Sequence, residues 1–177
     1  MFTGISEEIC AEAWEGLQPL IKHFAVKARF NKFDGTIVVI DPRVIDRPKM
    51  ADALKVFDAS IIFVGFVGDN ETPKYTDIAR SKAFVTWKTG LPSSLVQQQY
   101  PYLYTEGDTI WGGSTIDAGG LIVAFSGVQQ VHDEAISETM AALVRSICRD
   151  KMTMDEGVLD SWARTDGRIV AKAPMPG

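Results

Sequence analysis

The chain has 177 residues, 46% of them hydrophobic and 23% charged, with a formal net charge of -5. Its length suits one domain able to bury a core without disulfides, and the acidic balance speaks against a nucleic-acid binder, which normally carries a basic excess. Two histidines and two cysteines are too few and too scattered for a structural zinc site, so none is expected, and Cys10 and Cys148 read as reduced packing residues. The N-terminus has neither a basic nor an apolar leader region, and no apolar run reaches membrane-spanning length. A cytoplasmic protein that touches neither membrane nor nucleic acid is the expectation.

Along the chain, Ser6 can cap a helix starting at Glu7-Glu8. Ile9, Ala13, Leu17, Leu20, Ile21 and Phe24 recur along it at helical spacing. Pro19 predicts a kink there, or a junction of two short helices. The β-branched run Thr36 to Asp41 predicts a buried strand, ended by Pro42. A charged loop follows, then a short helix from Met50 to Phe57. Ile61 to Val67 is a second strand, closed by the Gly68-Asp69-Asn70 turn.

Thr76 can cap a helix that runs to Gly90, and a shorter helix follows Pro92-Ser93-Ser94. Tyr100 to Tyr104 reads as an aromatic loop. Thr109-Ile110-Trp111 and Ser114-Thr115-Ile116 flank the pair Gly112-Gly113, and Asp117 to Gly120 reads as a hairpin turn. Leu121 to Ser126 is the last strand. The longest helix begins near Gln129, with Ala135, Ile136, Met140, Leu143, Val144 and Ile147 inward. Residues 1–154 thus form a single domain, and 155–177 read as a loose or neighbour-packing tail. The order implies an α+β fold, an antiparallel sheet of about five strands flanked by helices.

Candidate chemistry clusters around the turns. Asp69 lies between a strand and a helix, as a site residue or as a turn cap. Lys82, in a largely apolar helix, is a carboxylate binder or a base, or else a lysine whose stem covers a core edge. Gly112, Gly113, Ser126 and Gly127 can present backbone N–H groups to an anion, or they simply shape turns. Asp133 and Glu134 beside them would repel such an anion unless turned away. His132 is the histidine best placed for acid–base work. Trp111 can line a flat pocket or a subunit contact, the latter being favoured for Tyr100, Tyr102 and Tyr104. An enzyme acting on an organic acid or a ring-derived substrate by hydrolysis, deamination or isomerisation would use Asp69, Lys82, His132 and Glu134.

Val38-Val39-Ile40-Asp41, then Ile78-Ala79-Arg80-Ser81-Lys82-Ala83 with Thr86, the turn from Gly90 to Ser94, Gly112-Gly113, and Gly120 to Gly127 followed by Asp133-Glu134-Ala135 are short segments that, in this order, resemble the GlcG/HbpS-like family. The likeness spans roughly residues 36–147, but Pro42 to Ser60 is rebuilt and Ala124 stands where the family often has glycine. The resemblance implies a profilin-like fold, closed homo-oligomers, and binding of a small ligand, with haem binding or degradation as the family's label. Covalent haem is not expected, because the chain has no Cys-x-x-Cys-His motif.

Overall fold

The computed structural model describes residues 3–27, 34–43, 53–68 and 73–154. Asp69, the segment 155–177 and most of the loop after Arg43 lie outside them. The chain builds α1 (Glu7–Lys27), β1 (Gly35–Ile40), α2 (Ala53–Ser60), β2 (Ile61–Val67), α3 (Pro73–Thr89), α4 (Ser93–Gln99), β3 (Ser114–Ile116), β4 (Ile122–Ser126) and α5 (Gln130–Met154). The strands form one antiparallel sheet in the order β2-β1-β4-β3. The fold is therefore α+β as expected, with four strands among the described residues. Of the two segments flanking Gly112-Gly113, Ser114-Thr115-Ile116 is the strand β3, and Thr109-Ile110-Trp111 is not a strand.

Both faces of the sheet are covered, and the two-residue period of a strand decides which side chain goes where. Ile37, Val39, Val123 and Phe125 pack with Ile9, Leu17, Ile21, Ile136 and Met140 of α1 and α5. Their neighbours Val38, Ile40, Ile122 and Ala124 pack on the other face with Phe57, Ala79, Ala83 and Trp87 of α2 and α3. Burial on both sides explains why β1 and β4 read as unbroken apolar runs rather than alternating ones. Phe57, Phe84 and Trp87 form an aromatic cluster with centroids 5.2 to 6.0 Å apart, which seats α2 on α3.

Three helix boundaries teach something about the sequence. Ser6 caps α1 as expected, accepting from the Ile9 N–H at 3.4 Å. Pro19, however, lies inside one continuous helix. Pro19 and Glu15 are both exposed, so water can meet the carbonyl that proline leaves without a donor. Helix α3 starts at Pro73, earlier than Thr76, because proline suits a first helical turn. Thr76 instead shares a hydroxyl hydrogen bond with Thr36 of β1 at 3.1 Å. Helix α3 ends as expected, at Gly90 with φ of 72°.

The N-terminal segment is tied down by a clamp at the end of β1. Arg43 donates to the Asp41 carboxylate and to the carbonyls of Thr3 and Ile5 at 3.0 Å. The hydrogen-bonded Arg43 guanidinium holds the Asp41 carboxyl below its ordinary value of 3.8. A depressed carboxyl contributes stability above its unfolded value and loses it as the pH falls through the folded one. The thermal midpoint is expected to fall as the pH drops below about 4, and Asp41→Asn to weaken that dependence. An unchanged pH profile in the variant would show that the clamp plays no part.

Candidate functional site

The site grows from an interruption at the sheet edge. Because β3 is short, the chain before it turns away at Gly113, whose φ is 121°. The Phe125 N–H still reaches the Gly113 carbonyl at 3.1 Å. The Phe125 carbonyl receives its donor from elsewhere: Lys82 Nζ, 3.0 Å away, reaching across from α3. The same ammonium donates to Asp133 Oδ2 of α5 at 2.7 Å. Asp133 Oδ1 in turn accepts from the Val128 N–H at 3.0 Å. One buried ion pair thus joins the middle of α3, the end of β4 and the start of α5.

Both partners are almost fully buried, with side chains 2% and 5% exposed. Burial, which penalises charge, draws the Lys82 amine below the ordinary lysine range, against the pull of Asp133. The same desolvation pushes the Asp133 carboxyl up, against Lys82 and its backbone donors. The two groups therefore have their acidities brought toward one another, as an acid–base pair requires.

The glycines make this closeness possible. A Cβ on Gly113 would stand 2.7 Å from Asp133 Cβ and 2.9 Å from Lys82 Nζ. A Cβ on Gly127 would stand 2.4 Å from the Asp34 carbonyl oxygen. Gly112 abuts the side chain of Gln130.

The pair forms the floor of a cleft of about 460 Å³. Lys74, Tyr75 and Ile78 of α3 line one wall, Gln130 and the segment Ser126 to Gln129 another, and Trp111 the mouth. Trp111 is 55% exposed, so its ring is available to a flat partner. The first turns of α3 and α5 both border the cleft, and their N–H ends favour a negative group.

Of the residues singled out from sequence, Lys82, Trp111, Ser126 and Gly127 meet at this cleft. Gly112 and Gly113 lie behind it as packing positions. His132 and Glu134 are not among its lining residues. His132 packs against Phe24 of α1, centroids 4.9 Å apart, with its Nδ1 unpartnered. Glu134 accepts a 2.5 Å hydrogen bond from Ser94 of α4. The expected repulsion from Asp133 is answered by Lys82, which neutralises it. Asp133 itself, read as a charge that would repel an anion, is the site residue the sequence reading missed. Its signal was the i, i+3, i+4 stripe it shares with Ile136, Ser137 and Met140, all buried. Among the described residues no cluster of three or more His, Cys, Asp or Glu side chains could hold a metal, and no helix is long and apolar enough to cross a membrane.

These features define a class: a four-stranded antiparallel sheet between two helical layers, with a ligand-sized cleft where the edge strand stops. No protein-family model matches the chain, and no curated protein does. Among solved structures, the chain is similar to a double mutant of HbpS from Streptomyces reticuli, at 18% identity and TM-score 0.55, over 81% of this chain and 88% of that one. It is similar to the Ybr137w protein at 11% identity and TM-score 0.55, over 82% and 83% of the two chains. A PduOC–heme complex gives TM-score 0.48 at 14% identity, over 80% and 95%, too loose a likeness to carry a ligand across. The chain has the fold of HbpS, the fold that its sequence resemblance implied.

Removing either partner of the buried pair is expected to be costly. Lys82→Met should destabilise by about 3–5 kcal/mol, because it strands a buried carboxylate. The double variant Lys82→Met with Asp133→Leu should recover much of that loss in urea unfolding. Losses that simply add would rule out direct coupling.

Proposed function

We propose that this protein binds a small, flat, negatively charged molecule in the cleft at Lys82 and Asp133, as a GlcG/HbpS-like ligand-binding protein. The observation that carries the reading is the combination in one cleft of an exposed indole, a buried lysine–aspartate floor and two helix starts. Trp111 offers the ligand a face, and Lys74 with the N–H ends of α3 and α5 offers its charge a partner. The cleft volume lies within the range of pockets that enclose small organic ligands.

Haem belongs to that ligand class, and its candidacy comes from the family resemblance. Among the described residues the cleft lining holds no histidine, cysteine or methionine, and Tyr75 is its one phenol, a group that ligates haem iron. If haem is the occupant, Tyr75 and not His132 holds it. Titration with hemin and, separately, with aromatic carboxylates tests the proposal, with absorbance and calorimetry as readouts. Saturable one-to-one binding weakened at least about tenfold (about 1.4 kcal/mol) by Trp111→Ala is expected. If hemin binds, Tyr75→Phe should change its absorption spectrum. Absence of saturable binding by either ligand type would overturn the proposal.

A second reading, an acid–base enzyme, has the oppositely shifted Lys82 and Asp133 in its favour. It would rest on those two groups rather than on Asp69, His132 and Glu134. Homo-oligomer formation is part of the first reading. Tyr102, Ile110 and Val131 are 76%, 58% and 66% exposed, the kind of apolar surface that a second copy covers. Native mass spectrometry reports the subunit count.

A further inference from the structure

The fold holds a second and larger cavity, of about 670 Å³, that no part of the proposed function uses. Its walls are the N-terminal segment at Gly4-Ile5, the end of β1 at Pro42-Arg43, the turn from Asp117 to Leu121, and Val144, Arg145 and Cys148 of α5. The lining is mainly apolar, with two guanidinium groups at its edge. Those two differ in how far they are engaged. Arg43 commits four of its five N–H donors, to Asp41, Thr3 and Ile5. Arg145 makes a single hydrogen bond among the described residues, from Nη1 to Asp117 Oδ2 at 3.0 Å, and its side chain is 53% exposed. A guanidinium has five N–H donors in a planar fork. Arg145 therefore keeps donors free at the rim, in the geometry that carboxylates match.

We infer that this cavity is a binding site for an amphipathic monocarboxylate, its apolar tail between Ile5, Leu121 and Val144 and its carboxylate on Arg145. The charge complementarity is specific to one end of the ligand. A tail without the acid would forgo the fork, and an acid without a tail would bury nothing against the apolar wall. Arg43 shapes the cavity, with four of its five N–H donors already committed to Asp41, Thr3 and Ile5.

Cys148 supplies a reporter inside the cavity. It is half-buried and lines the wall, whereas Cys10 is fully buried in the core with its thiol pushed up to about 12. Alkylation of the native full-length chain by a maleimide should therefore modify Cys148 and spare Cys10. Its rate is followed by intact mass and peptide mapping in the presence of octanoate, octanol or acetate. Octanoate is expected to slow Cys148 modification several-fold and saturably, with acetate inert and octanol much weaker. Arg145→Gln should abolish the protection by octanoate while leaving the ligand-free alkylation rate within about twofold, and Trp111→Ala should leave the protection intact. Equal protection by octanoate and octanol, protection that survives Arg145→Gln, or no protection at all would each overturn the inference.

Discussion

Burying a lysine and an aspartate together costs several kcal/mol per ion before any attraction is counted. The chain meets that cost at one point only among its described residues, where Lys82 and Asp133 are both nearly closed to water. Each also bonds to backbone: Lys82 to the Phe125 carbonyl, Asp133 to the Val128 N–H. Well-packed apolar residues could hold the same elements together equally well. The charge-assisted hydrogen bond adds a directional constraint to that packing. The pair sets where α3, the end of β4 and the first turn of α5 stand relative to one another, and the cleft is the space left between them.

The short edge strand makes this arrangement possible. Were β3 two residues longer toward its start, a strand carbonyl–amide bond would occupy the place that Lys82 takes. Gly113, with its positive φ and no room for a side chain, ends the strand and admits the ammonium in the same step. Trp111 then falls outside the sheet, exposed at the cleft mouth rather than packed on a face. The glycines at 112, 113 and 127 are thus a steric condition for the site, and they need not touch a ligand to matter.

The sheet and its helical cover were legible because the strands that lie buried on both faces leave dense β-branched runs, and α1 and α5 carry long periodic patterns. Helix starts were less legible. Thr76 looked like a cap because threonine often is one, yet Pro73 opens the helix and Thr76 is drawn to Thr36, a partner forty residues away that local reading cannot see. Of the site, Lys82 was found because a lysine in an apolar helix is out of pattern. Its partner was not, because an acid beside glycine turns reads as repelling an anion, and a cation fifty-one residues away is invisible to local reading. His132 drew attention by scarcity, but scarcity says nothing about direction, and its ring turns to Phe24 on α1.

The two cavities lie at opposite ends of one β4–α5 unit. The first is bounded by Ser126, Gln130 and Asp133, the second by Leu121, Val144, Arg145 and Cys148. Twelve helical residues separate Asp133 from Arg145, about 18 Å along α5. That distance exceeds a Debye length in ordinary salt, so a charge bound at one end is barely felt electrostatically at the other. What does connect them is mechanical: β4 is fully buried along its length and α5 packs on it through Ile136, Met140 and Val144. A ligand that shifted α5 along its axis would lengthen the Asp133 bond to Lys82 as well as disturb those apolar contacts. The buried pair is therefore one contact through which the two ends can be coupled, beside the apolar packing of α5 on β4.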